Sequence, residues 1–303
     1  MPNSARLEME TEMRPGPSPN FPLVSRRDLC LGATALATAA LTRFPAVAQS
    51  TKFKVFNGLL YSEMPDLRHY GVSPVHVIDR GIWPEQTSHF EDPDPRLVAK
   101  KLHALPDDGV PLVMDFEFYS FSQGLKNSLE ALEGLTTIAK SFKTAAPSRP
   151  IGFYGYMPVH DYFDAIKPKS SSEYRTWQDE NTMAGMLNPY VDFLAPSLYT
   201  FYNRPADWQT YARAQISEAR RISDKPVYAF IWPHFHNQGK KKQPSAIPAD
   251  FWRLQLETMS EIADGVILWG GWNFGRQASM KWNSQASWWV QTKEFLASLS
   301  AGV

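Results

Sequence analysis

Apolar and polar positions along the chain alternate between two periods from residue 52 onward. Short apolar runs predict strands over 52–60 (KFKVFNGLL), 74–79 (PVHVID), 109–119 (GVPLVMDFEFY), 150–156 (PIGFYGY), 192–199 (DFLAPSLY), 226–232 (PVYAFIW) and 265–271 (GVILWGG). Between them, apolar residues at three- and four-residue steps predict helices over 94–105, 122–145, 173–187, 206–223, 249–263 and 287–299. In the 122–145 segment the stripe is Leu125, Leu129, Leu132, Leu135, Ile138 and Phe142. Asp94 is placed to cap the 94–105 helix, with Pro95 in its first turn. Strands alternating with helices pair in parallel through right-handed crossovers. Gly or Pro at strand starts, with aromatic or polar residues at strand ends, predicts a closed (β/α) TIM-type barrel of about seven parallel strands. An open doubly wound sheet would need a glycine-rich phosphate loop after its first strand, and Asn57-Gly-Leu-Leu-Tyr61 does not supply one.

The 109–119 strand is the unusual one. Read with a period of two, Val113, Asp115, Glu117 and Tyr119 share one face, and Leu112, Met114, Phe116 and Phe118 share the other. If the apolar face packs under helices, the two acids point to the barrel centre, where desolvating a charge costs several kcal/mol, on the order of magnitude tolerated for function. Active sites of such barrels lie at the carboxyl ends of the strands. The pleat brings Asp115, Glu117, Tyr154, Tyr156, Tyr199, Trp232 and Trp269 to those ends, facing inward. Paired carboxylates ringed by aromatics suit glycosidic bond cleavage, in which an acid protonates the leaving oxygen while rings hold the sugar. A second carboxylate on another strand is harder to find. Asp79 ends the second strand, whereas Asp192 and Asp264 precede theirs and belong at the opposite mouth. That shortage points to a reaction in which the substrate's own N-acetyl oxygen attacks C1, with Asp115 and Glu117 as the acid and the polar partner of the amide. A barrel hydrolase with a protein carboxylate nucleophile and a non-catalytic carbohydrate-binding barrel remain open alternatives.

Composition adds to this picture without founding it. Ten Trp, twelve Tyr and eighteen Phe suit sugar stacking as well as a large core. A formal net charge of zero gives no footing for nonspecific nucleic-acid binding, and the one basic run, Lys240-Lys241-Lys242, reads as a solvated loop. Ser25-Arg26-Arg27-Asp28-Leu29, the apolar run from Leu31 to Leu41 and the small residues Ala46-Val47-Ala48 resemble a twin-arginine export signal. Residues 1–48 are therefore expected to be leader and signal, and 49–303 a single catalytic domain, exported to the periplasm or beyond. The apolar run is too short to span a bilayer, and no membrane attachment is expected after signal removal. The only cysteine, Cys30, lies in that signal, which leaves the mature chain without disulfides or thiolate chemistry. His234 and His236 with Asp79 lack a convincing third ligand, so no metal and no cofactor is expected. The expected partner is a polysaccharide, and the expected state a monomer.

Four blocks, in order, resemble the hyaluronidases of glycoside hydrolase family 56. They are Val113-Met-Asp115-Phe-Glu117, Gly152-Phe-Tyr154-Gly-Tyr156-Met-Pro158, Ala195-Pro-Ser-Leu-Tyr199 and Gly265-Val-Ile-Leu-Trp269-Gly270. The resemblance implies a distorted barrel and a retaining, substrate-assisted cleavage of β-linked N-acetylhexosamine polymers. It implies Glu117 as general acid and then base, and Asp115 as the partner that positions the acetamido group. Tyr154 and Tyr199 would bond that group and Trp269 would pack on its methyl; Tyr156 is a further candidate substrate-binding residue. Two acids this close disfavour double ionisation, which keeps one able to donate a proton. Phe118-Tyr119-Ser120 stands where the family has an arginine, so a neutral N-acetylhexosamine polymer is as open as hyaluronan.

Overall fold

A computed structural model describes residues 53–85, 91–106, 108–122, 124–236 and 244–301. The expected export signal and the Lys240–Lys242 run lie outside the described residues. Strand β1 (Lys54–Leu59) pairs in parallel with β7 (Gly265–Gly270) over six residues, from Lys54 opposite Gly265 to Leu59 opposite Gly270. The first and last strands of the barrel are thus joined. On its other side β1 pairs with β2 (Val72–Pro74), and β7 pairs with β6 (Tyr228–Ile231). A second parallel sheet runs β3 (His76–Ile78), β4 (Leu112–Met114), β5 (Ile151–Phe153).

Two departures from the expected strands define the distortion. The single strand expected over 74–79 serves both sheets as two pieces, β2 on β1 and β3 on β4. Pro74, without an N–H, ends the first piece. The strand expected over 192–199 forms no continuous ladder. It touches its neighbours at isolated bridges, Tyr154 with Ala195, Leu194 with Val227 and Ser197 with Phe230, because Pro196 interrupts the donors. Its backbone still accepts from Tyr228 at Leu194 (2.8 Å) and from Phe230 at Pro196 (2.8 Å), so the stave is held in place. Counting β2 and β3 as one stave and 192–200 as another, seven parallel staves close the ring. The fold is a distorted (β/α) TIM-type barrel.

Helices α1 (Pro95–His103), α2 (Leu125–Ala145), α3 (Ser172–Ala184), α4 (Pro205–Ile222), α5 (Ala249–Ile262) and α6 (Ser287–Ala301) fill the connections. Asp94 caps α1 by accepting the Arg96 amide at 2.8 Å. α3 stops at Ala184 and the chain continues as a 3-10 turn through Gly185–Tyr190, where Pro189 cannot support an α-helical bond. On α2 the buried stripe is Ser128, Ala131, Leu135, Ile138, Ala139 and Phe142, while Leu125 and Leu129 stand exposed. The Ser128 hydroxyl reaches the Phe121 carbonyl at 2.7 Å, and this close approach turns the small residues inward at that end of the helix.

Two packed layers result. Residues facing outward from the staves, such as Val55, Leu112, Met114, Ile151, Leu194, Leu198, Val266 and Leu268, join the helices in the outer core. The barrel interior holds Phe56, Val113, Tyr154, Phe193, Ala195, Tyr199, Tyr228, Phe230, Trp232 and Ile267. Along 192–199 and β6 the interior positions fall at every second residue, as the pleat requires. A cavity of about 570 Å³ opens at the amino-terminal mouth, lined among others by Lys54, Phe56, Asp108, Asp192 and Tyr228.

Candidate active site

The site forms where β4 ends. Asp115 is the first residue past β4 and is still tied to β3, its amide bonded to the Ile78 carbonyl at 2.9 Å, and it is half-buried. Beyond it the chain leaves the ladder, which corrects the expected strand through Tyr119. Phe116 turns into the outer core against Trp83 (ring centroids 5.3 Å), and Tyr119 passes under α2, with its ring against Gly134. Only Glu117 of the segment 116–119 is exposed. Tyr119 therefore does not share a face with the two acids; once the pairing stops, aromatic burial rather than the pleat directs the side chains.

Tyr154 and Tyr199 converge on the carboxylates from β5 and the neighbouring stave. Both are buried, and their rings lie 5.9 Å apart. Burial pushes the Tyr199 phenol well above its ordinary range, and the nearby charges of Asp115 and then Glu117 add to the effect. Burial does the same to Tyr154, with Tyr199, Tyr162 and Glu117 contributing in that order. Both phenols thus stay protonated and able to donate. The Tyr154 hydroxyl donates to Ser197 Oγ at 3.0 Å, and Ser197 Oγ also lies 2.9 Å from the Tyr162 hydroxyl. Tyr162 stacks on Phe201 at 3.7 Å, and Phe201 on His236 at 4.4 Å. The sequence held no sign of Tyr162 or Phe201 as site residues, since both sit on irregular exits from the staves with no period to place them.

Trp269, half-buried, completes the wall with Tyr199 (5.7 Å) and Trp232 (4.9 Å, rings at 85°). After it the backbone turns sharply at Gly271 (φ +87°), where a Cβ would meet the Tyr61 amide at 2.6 Å, so only glycine fits. Tyr156 is placed differently from the expectation. Its ring faces the outer core, and its hydroxyl is taken up by backbone, donating toward the carbonyls of Phe116 (2.7 Å) and Tyr119 (3.1 Å) and accepting the Tyr119 amide (3.2 Å). The glycine at 155 (φ +72°) breaks the pleat after Tyr154, which sends Tyr156 outward.

The mouth is chemically lopsided. Acids follow β1 (Glu63 and Asp66, paired with Lys281 and Arg68), β3 (Asp79), β4 (Asp115 and Glu117) and β5 (Asp161 and Asp164). The exits of the 192–200 stave, β6 and β7 carry Phe201, Trp232, His234, His236, Trp269 and Phe274, with no acid before Asp207, Asp250 and Glu294. Asp192 and Asp264 lie at strand starts, accepting the amides of Ile151 (2.8 Å) and Val227 (2.7 Å). His234 is buried and its imidazole is pushed down to about 4 by desolvation. Among the described residues no group of three or more His, Cys, Asp or Glu is arranged to hold a metal ion, and no helix is long and apolar enough to cross a membrane.

No protein-family model and no curated protein sequence matches the chain. Among solved structures it is similar to a Bacteroides thetaiotaomicron protein assigned as an α-L-fucosidase, with TM-score 0.48, 10% identity and coverage of 88% of this chain and 98% of that one. It is also similar to an endo-β-1,4-mannanase from Thermotoga petrophila, with TM-score 0.48, 14% identity and coverage of 78% and 60%. A β-1,4-mannanase of glycoside hydrolase family 113 gives TM-score 0.39 and 11% identity, over 82% and 99%. The barrel assignment itself rests on the strand pairing described above.

Proposed function

We propose that the protein is a retaining glycoside hydrolase that cleaves β-linked N-acetylhexosamine polymers with the substrate's acetamido oxygen as nucleophile. The observation that supports this reading is the lopsided mouth: Asp115 and Glu117 follow one strand, and the exits of the 192–200 stave, β6 and β7 carry aromatics and hydroxyls with no carboxylate before Asp207, Asp250 and Glu294. The acids after β1, Glu63 and Asp66, are taken up by Lys281 and Arg68. A protein nucleophile would need a second carboxylate across the sugar from the acid. In the proposed reaction Glu117 donates its proton to the glycosidic oxygen as the acetamido oxygen attacks C1 and the C1–O bond breaks. Asp115 holds the amide N–H and the positive charge of the resulting oxazolinium. Glu117, now a carboxylate, takes a proton from water, which attacks C1 and reopens the acetamide with net retention. Tyr154 and Tyr199 would bond the acetamido group, and Trp269 with Trp232 would face its methyl. The resemblance of four sequence blocks to the hyaluronidases supports the same roles. The leading segment of the chain supports export through a twin-arginine signal, which cleavage of the precursor after Ala48 would test.

The test is a product analysis with hyaluronan, chondroitin, chitin oligosaccharides and β-mannan. Cleavage confined to N-acetylated polymers, with retained anomeric configuration and loss of at least a thousandfold in Glu117→Gln, is the expected result. Turnover of β-mannan, which has no acetamido group, or unchanged turnover in Glu117→Gln would reject the mechanism.

A further inference from the structure

Tyr156 carries a hydroxyl that the proposed reaction does not use. Its phenol oxygen touches the Phe116 carbonyl at 2.7 Å, the Tyr119 carbonyl at 3.1 Å and the Tyr119 amide at 3.2 Å. These contacts bracket Glu117. The chain leaves Phe116, arches outward through Glu117 and Phe118, and returns to the same oxygen at Tyr119, so one atom closes the arch. The single phenol proton is shared between two carbonyls and a lone pair takes the amide, which leaves the group little polar capacity for a ligand. The ring is buried, edge-on to Phe121 (6.1 Å) and Phe153 (6.2 Å), and therefore fixed from below. Beyond the arch, Ser128 Oγ holds the Phe121 carbonyl at 2.7 Å. Glu117 itself is exposed.

We propose that Tyr156 is a positioning residue, which holds the proposed acid Glu117 in place through the backbone on either side of it and does not contact the sugar. The inference deepens the glycosidase reading and rests on it for its catalytic consequence, while its structural half stands alone. Preorganisation of this kind acts on the chemical step, because a misplaced proton donor lowers kcat while substrate binding survives.

The experiment compares wild type, Tyr156→Phe and, as a remote control, Trp252→Phe, which loses the buried bond from Trp252 to Thr292 (2.9 Å) between α5 and α6. Amide hydrogen exchange is followed by NMR, and turnover is measured on whichever polymer the wild type cleaves. In wild type the Tyr119 amide is expected to exchange at least a hundredfold more slowly than an exposed loop amide. In Tyr156→Phe that protection should fall at least tenfold, confined to 116–119, with kcat down tenfold or more and KM within a factor of two. Trp252→Phe should leave the 116–119 exchange and kcat unchanged.

An unprotected Tyr119 amide in wild type overturns the proposal even if the variant fails to fold. So does unchanged exchange in Tyr156→Phe, or a raised KM at constant kcat, which would mark a substrate contact. If no polymer is cleaved, the glycosidase reading fails while the exchange result still decides whether Tyr156 holds the arch.

Discussion

Glu180 on α3 offers a quantitative test of how the site is held. Its carboxylate accepts the Ser122 hydroxyl at 3.2 Å, tying α3 to the end of the segment that carries Asp115 and Glu117. Burial pushes its pKa from an ordinary 4.5 up to about 7, the Ser122 bond lowers it, and the negative charges of Asp161 and Asp164 raise it further. Below pH 4.5 the group is protonated in both folded and unfolded chains and contributes nothing. Between 4.5 and 7 the unfolded chain releases the proton that the folded one keeps, so stability falls as pH rises through that window and stays lowered above it. For a carboxyl sealed from water such a shift would cost about 3 kcal/mol. Solvent reaches part of this one, and screening reduces the cost to on the order of 1 kcal/mol. Glu180→Gln keeps an acceptor for Ser122 and removes the titration. Urea unfolding followed by tryptophan fluorescence should show the two proteins equally stable at pH 4 and the variant more stable by about 1 kcal/mol at pH 8. Titrations of groups that do not interact with Glu180 cancel in the difference. A stability difference independent of pH, or a variant weaker at pH 8, would refute the reasoning.

Two further outcomes follow from the packing. Gly265 starts β7 opposite Lys54, and a Cβ there would stand 2.3 Å from the Lys54 carbonyl oxygen, so Gly265→Ala must spread the seam that closes the barrel. A loss of about 2 kcal/mol is expected by analogy with overpacked cores, and an unchanged Tm would contradict it. His234, desolvated to about 4 from an ordinary 6.5, takes up its proton in the unfolded chain first. Its contribution therefore falls as pH drops from 6.5 to 4, and an NMR titration of its ring at an ordinary midpoint would disprove the burial argument.

The order and type of the elements were legible in the sequence because each stave and helix has its own period. Six helices and the seven staves stand where the apolar spacing places them, and Asp94 caps its helix as its chemistry requires. That Asp115 and Glu117 both come where β4 ends could also be read from one strand, since neighbours in sequence are neighbours in space. What the period could not reveal is where the ladder stops. β4 ends at Met114, where its partners β3 and β5 end at Ile78 and Phe153 and neither edge continues the ladder. From that point Phe116 and Tyr119 follow the nearest apolar surface, Tyr156 turns outward to hold them, and Glu117 alone is left in solvent. The hydroxyl cluster of Tyr154, Ser197 and Tyr162 joins residues 35 to 43 positions apart, a meeting made only by the closure of the barrel. Periodicity reports which way a side chain faces within an element; burial and hydrogen-bond saturation, settled only when the ring closes, decide which of those side chains meet.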